Sequence, residues 1–214
     1  ALEKSFADKE MLSKEVNHRA KNNMQLISSM LSIQSRRIGD DLAQQALIES
    51  SKRINLLAGI HRTLYQTPES GDIDIGEQLR QVLEGLTKGF REAPITINSD
   101  IASVPLDVHQ AIPLTLIANE LLTNAFKHAF PKPQTKDELT VRLRHEAEQV
   151  TLEVIDNGVG VPADAANKDS LGMVIIATLT DQLHADLILE NRPEGGTVAR
   201  VTFECLLYKS LVDH

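Results

Sequence analysis

From Ser5 to about Arg37 the chain contains neither proline nor glycine. Both residues interrupt helices, proline by removing an N–H and clashing with the preceding turn, glycine by its backbone entropy. Leu12, Val16, Ala20, Met24, Ile27, Met30 and Leu31 recur through that stretch at helical spacing. Gly39-Asp40-Asp41 then joins a helix-ending glycine to two acids suited to open a second helix. From about Leu42 to Tyr65, Leu47, Ile54, Leu57 and Leu64 fall on positions a and d of a heptad, with Ser50 and His61 as polar interruptions. The pattern predicts a helical hairpin. One hairpin cannot cover its own apolar seam, whereas two paired about a two-fold axis make a four-helix bundle. The first 66 residues therefore predict a homodimer.

Thr67-Pro68-Glu69-Ser70-Gly71-Asp72 is turn-forming and marks a boundary between domains at 1–68 and 72–210. Charge changes there too. Residues 1–66 carry ten Lys/Arg against seven Asp/Glu, a balance of +3, and the remainder twelve against twenty-three, a balance of −11, together the net −8 of the chain. Such acidity argues against general nucleic-acid binding, which needs basic surface to replace counterions. Cys205 is the single cysteine, so neither an intramolecular disulfide nor a cysteine-based zinc site is expected. A cytoplasmic, reducing setting fits. No apolar run approaches the length of a membrane span, so membrane attachment would come only through a sensor segment before Ala1. Aromatics are 3% of the chain, which leaves an aliphatic core.

The second half alternates helix and strand patterns. Ile75 to Phe90 is helical through Ile75, Leu79, Val82, Leu83 and Leu86; Pro94 to Asn98 alternates as a short strand. Leu106 to Phe130 is a long apolar helix stopped by Pro131-Lys132-Pro133. Glu138 to His145 and Val150 to Asp156 form a hairpin turning near Ala147-Glu148. A loop, Asn157 to Ser170, precedes a helix from Leu171 to Leu183 and two strands, Ala185 to Asn191 and Gly196 to Leu206. That order predicts a mixed sheet backed by helices on one face, so the whole chain reads as α+β, a helical hairpin followed by an α/β sandwich.

Five clusters carry chemistry. In Val16 to Gln25, His18 and Asn22 lie one helical turn apart, and Arg19 and Lys21 add positive charge. A neutral imidazole there is a nucleophile whose neighbours can hold phosphoryl oxygens; the patch also reads as a solvated helix face with an incidental histidine. Glu120, Asn124, Lys127 and His128 follow at steps of four, three and one, lining one helical side. Carboxylate and amide oxygens suit a hard cation, and lysine suits phosphate; a partly exposed polar stripe is the equal alternative. Asp156-Asn157-Gly158-Val159-Gly160 follows an apolar strand, where an acid can accept from an exocyclic amine and glycines let backbone approach a flat ligand; such a sequence is also a common turn. Ser170-Leu171-Gly172-Met173 feeds a helix N-terminus, an anion-binding geometry. Gly195-Gly196-Thr197 enters the last strand and reads equally as a hairpin turn. Neither a P-loop nor a GxGxxG motif is present.

In their order, these clusters resemble a sensor histidine kinase. NELLTNAFKHAF, DNGVG, SLGM and GGT look like the N box, G1, G2 and final G-T motifs of a Bergerat-fold (GHKL) ATP-binding domain. NHRAKNNMQLISSMLSIQSRR with RINLLAGIHRTLYQ looks like a HisKA_2 dimerisation and phosphotransfer domain. The resemblance covers nearly the whole chain. It implies that His18 is the phosphoacceptor and that Asn124 binds Mg²⁺ and the ATP phosphates, with Glu120 on the same wall and Lys127 and His128 approaching the phosphates. Asp156 would recognise the adenine amine, helped by Gly158 and Gly160. Leu171 and Gly172 would belong to a lid over the phosphates, and Thr197 to the base of the adenine pocket. Asn22 holds the position of an amide that orients water for phosphatase chemistry in related kinases.

The sequence departs from the commoner kinases in three places. Arg19 follows the phosphoacceptor where an acid is usual, so Glu15 or a group of the catalytic domain would take the imidazole proton. The stretch between Gly160 and Leu171 has no Phe, and no Trp follows the G1 region. The resemblance implies an ATP-dependent autokinase that passes its phosphoryl group to an aspartate of a response-regulator receiver domain. Alternatives are a predominantly phosphatase or phosphotransfer role, and a GHKL interaction module or protein-serine kinase using the hairpin only to dimerise. Met24, Ile27 and the surroundings of His61 are expected to dock the regulator, with His61 itself a packing residue.

Overall fold

The computed structural model describes residues 20, 22–64, 72–90, 94–161 and 171–206, and the chain divides into two units, Ala1–Gly71 and Asp72–His214. In the first unit, α1 covers residues 22–35 and α2 covers Asp41–Leu64. The Asp40 carboxylate accepts from the Ala43 N–H at 2.8 Å, satisfying a donor that the first turn of α2 leaves open. The two helices meet through hydroxyls. Ser28 and Ser51 share a 2.8 Å hydrogen bond, Ser32 lies 3.0 Å from Ser51, and the Ser51 hydroxyl also donates to the Ser28 carbonyl.

The contact between the two helices is made by small polar residues and not by the heptad leucines and isoleucine. Ser28, Ser35, Ser51 and Ala58 are buried, while the heptad residues Leu47 and Ile54 are half-buried. Small side chains let the helix axes approach, and the bulkier ones are turned outward. Leu26, Met30 and Ile33 are 55%, 55% and 54% exposed in the single chain. The expected first helix begins among residues 1–19, which lie outside the described residues, as do Lys21, Tyr65 and residues 66–71.

In the second unit, β1 (Ile73–Asp74) pairs antiparallel with β3 (Pro105–Leu106). This two-residue ribbon is too short to show alternation in the sequence. Asp74 caps α3 (Ile75–Gly89) by accepting from the Gly76 N–H at 2.9 Å, and Ile75, Leu79, Val82 and Leu83 bury the expected face. Strand β2 runs Thr96–Ile101, three residues past the expected end, because its parallel pairing with β4 continues to Ile101 opposite Leu143. Helix α4 is Val108–Asn124, capped by Asp107, and it packs against both α3 and α5. Its expected continuation to Phe130 is instead a π-helical turn, Ala125–Ala129.

Strands β4 (Glu138–Glu146) and β5 (Gln149–Asp156) form the expected hairpin, with Ala147 at φ 54° in its turn. Helix α5 is Leu171–Leu183, and β6 (Asp186–Asn191) and β7 (Thr197–Glu204) complete the unit. The sheet order is β2-β4-β5-β7-β6, with β2 parallel to β4 and all other pairs antiparallel. Leu139, Val141, Leu143, Leu152, Val154, Val201 and Phe203 form the buried face, with Leu114, Ile117 and Leu122 of α4 and Ile176 of α5. The other face is polar, where Glu153 accepts from Arg200 at 2.8 Å and faces Arg142 at 3.7 Å. Helices on one face of a mixed sheet are the sandwich expected from the sequence.

Candidate functional site

The inward alternation of β5 ends on a carboxylate. Asp156 is 5% exposed and continues the inward row of Val150, Leu152 and Val154. Its Oδ1 accepts from the Gly158 N–H at 2.9 Å and from the Thr197 N–H at 3.2 Å. Both bonds fall on one oxygen, so Oδ2 is available to accept from a ligand. The Asp156 carbonyl accepts from Arg192 Nη1 at 3.1 Å. A Cβ at Gly196, whose φ is +87°, would lie 2.1 Å from that same carbonyl oxygen. The final glycine pair is therefore more than a hairpin turn, since it seats β7 against the acid. Thr197 contributes its backbone N–H to Asp156.

The loop after Asp156 is held from three sides. Asn157 accepts from the Glu138 N–H at 2.8 Å and donates to the Lys136 carbonyl at 2.9 Å, which ties the loop to the entry of β4. The Val159 N–H donates to the Ala129 carbonyl of the π turn at 3.0 Å. A Cβ at Gly158 would stand 2.2 Å from that oxygen, so only glycine lets the loop approach. Gly160 takes φ +79°, and the Val161 backbone is bonded by Asn191.

The π turn thus abuts the acid's loop and carries Lys127 and His128, both exposed. It closes i→i+5 hydrogen bonds, a form that recurs at functional sites. Lys127 and His128 consequently stand at a different angle to Asn124 than a continuous α-helix would give, which modifies the expected single stripe. One α-helical turn separates Glu120, 3% exposed, from half-buried Asn124. Leu171 and Gly172 open the first turn of α5, Leu171 half exposed and Gly172 half-buried. Asn22 is exposed on α1 in the other unit. His18, Arg19, Glu15 and Ser170 lie outside the described residues.

The donor set fits a nucleotide. A carboxylate oxygen beside glycine backbone suits an exocyclic amine on a flat ring, and a lysine ammonium and an imidazole on an adjoining turn suit phosphate. Glu120 and Asn124 supply hard oxygen ligands of the kind Mg²⁺ takes. Among the described residues no cluster of three or more His, Cys, Asp or Glu could hold a metal ion. The sequence did not single out Arg192, Asn191 or Ala129, because two of them act through backbone groups of their partners and the third through its own carbonyl.

Residues 15–90 match the HisKA_2 family, described as histidine kinase, and residues 109–207 match the histidine kinase-, DNA gyrase B-, and HSP90-like ATPases. The two matches follow one another along the chain, a histidine kinase family first and a histidine kinase-like ATPase family second. The chain is 29% identical over 199 residues to the sensor histidine kinase PdtaS of Mycolicibacterium smegmatis, covering 91% of itself and 40% of that protein. It is 29% identical over 211 residues to blue-light-activated histidine kinase 2 of Erythrobacter litoralis, covering 92% of itself and 58% of the relative. The solved EL346 blue-light activated histidine kinase of Erythrobacter litoralis superposes with a TM-score of 0.70 at 25% identity, over 92% of this chain and 60% of that one. The chain thus spans 40% and 58% of the lengths of the two curated relatives. Among its described residues no helix is long and apolar enough to cross a membrane.

Proposed function

We propose that this chain is the core of an ATP-dependent protein histidine kinase, with residues 1–68 as the dimerising phosphotransfer domain and 72–210 as the catalytic domain. Asp156 carries the reading: a buried acid at a strand end, fixed through Oδ1 by two backbone donors, with glycine backbone beside it. Its Oδ2 accepts from the adenine amine, with Gly158, Gly160 and Thr197 shaping the surrounding backbone. Asn124 and Glu120 would hold Mg²⁺, and bound Mg²⁺ would neutralise charge on the β- and γ-phosphate oxygens. Lys127 and His128 orient the phosphates, and Leu171 and Gly172 bring the N-terminus of α5 toward them.

His18 attacks the γ-phosphorus in line, and the bond to the bridging oxygen breaks. ADP leaves with the electron pair, and the imidazole proton goes to Glu15 or to a base of the catalytic domain. Arg19 stabilises charge on the transferred group. The phosphohistidine then passes the phosphoryl group to an aspartate of a response-regulator receiver domain, docked on α1 through Ile27, which is 48% exposed, and half-buried Met24. Such chemistry takes place in the cytoplasm, where ATP is supplied.

Asp156→Asn separates recognition from folding. The amide keeps an oxygen for the Gly158 and Thr197 donors but replaces Oδ2 with an N–H₂ that faces the adenine amine donor to donor. ATP affinity measured by calorimetry should fall by about 100-fold, the equivalent of ~2.7 kcal/mol for an unmade and repelled bond. Unchanged affinity would remove Asp156 from adenine recognition.

A further inference from the structure

We infer that Asn191 is a positioning residue for the nucleotide base, acting as a side-chain clamp on the Gly158–Val161 loop. This inference rests on the ATP-binding role proposed for Asp156. Asn191 is the last residue of edge strand β6 and pairs with Thr197 of β7. Its Oδ1 accepts from the Val161 N–H at 2.7 Å and its Nδ2 donates to the Val161 carbonyl at 2.9 Å. A carboxamide offers one acceptor and one donor in a plane, the pair of groups that a neighbouring strand residue presents. The amide therefore adds Val161 to the sheet edge as one more rung, although no strand follows there.

Gly160 reports the same fit from the other side. A Cβ on it would stand 2.7 Å from Asn191 Oδ1, and its φ of +79° turns the chain so that Val161 meets the amide squarely. The clamp and the acid share one support. The hairpin that ends in Asn191 continues into Arg192, which donates to the Asp156 carbonyl, and into Thr197, which donates to the Asp156 carboxylate. Asp156 fixes the start of the loop and Asn191 fixes its end, with Val159 bonded to Ala129 between them. Releasing the end lets the loop backbone leave the plane of the base without altering any group that meets the phosphates.

The test titrates wild type, Asn191→Ala and Asn191→Asp with Mg·ATP, Mg·ADP and adenosine. Asn191→Ala should weaken all three by a common factor of about ten, as expected for two lost exposed hydrogen bonds. Asn191→Asp retains the acceptor for the Val161 N–H but turns a second acceptor toward the Val161 carbonyl, so it should weaken all three at least as much as Asn191→Ala. The nucleotide-free unfolding midpoint of each variant identifies a general loss of structure, which would lower the midpoint. Wild-type affinity of Asn191→Ala for all three ligands overturns the clamp, as does a loss confined to ATP. If the wild-type chain binds none of the three, the ATP reading of the site falls, and the clamp's role in it falls too.

Discussion

A methyl group at Gly196 would lie 2.1 Å from the Asp156 carbonyl oxygen and 2.6 Å from the Asn157 Cα, at a φ of +87°. Backbone on both sides has no flexible end to give way, and an L side chain is strained at that φ. Gly196→Ala should therefore cost about 2–4 kcal/mol, read as a lower urea midpoint at constant slope. A wild-type midpoint would show that β7 is not seated against the acid in solution. The DNGVG and GGT motifs were legible because their glycines and acid stand together in the chain. Asn191 and Arg192 were not, since each acts on backbone thirty or more positions away, and nothing in a local pattern distinguishes them from turn residues. Thr197 was singled out with the glycine pair, yet its contact with Asp156 is through an N–H that any residue but proline would supply.

Among the elements, α3 shows how much of its stability one acid holds. Burial alone would raise the Asp74 carboxyl, but the Ser103 hydroxyl and the N–H groups of Val104, Gly76 and Glu77 outweigh it and set it below the usual carboxylate range. A carboxyl depressed in the folded state stabilises fully above its unfolded value of about 4, and that contribution is lost as pH falls through the lower folded value. Asp74→Ala should cost about 1–2 kcal/mol at pH 7 by thermal or urea unfolding, with the deficit shrinking at lower pH. A deficit independent of pH down to the acid transition would contradict the charged cap. The helices and strands themselves were legible from periodicity, α5 to the residue. The π turn after Asn124 was not, because apolar spacing does not reveal a closure changed by one residue. Phe126 of that turn stacks on Phe90 at 5.0 Å with rings 8° from parallel, a contact between positions 36 apart that no local pattern shows.

For the whole molecule, the break at Thr67–Asp72 and the change from +3 to −11 pointed to two parts, and the chain divides between Gly71 and Asp72. What faces what in the hairpin was not legible, since Ser28 and Ser51 take the seam and leave Leu26, Met30 and Ile33 outward. These three recur at i, i+4 and i+7 on one face, a row that isolated water-facing helices do not favour. Pairing of two hairpins through it would bury all three. Sedimentation equilibrium should give a dimer for the wild type and a mass shifted toward monomer for Met30→Glu; equal masses would mean that another surface pairs or that none does. The central claim is transfer of the γ-phosphoryl group from ATP to His18. Incubation with γ-³²P-ATP and Mg²⁺, followed by acid and base treatment of the labelled chain, tests it most directly. The account predicts label that survives base, is released by acid and is absent from His18→Ala while that variant still binds ATP. Acid-stable label, or label on His18→Ala, would contradict it.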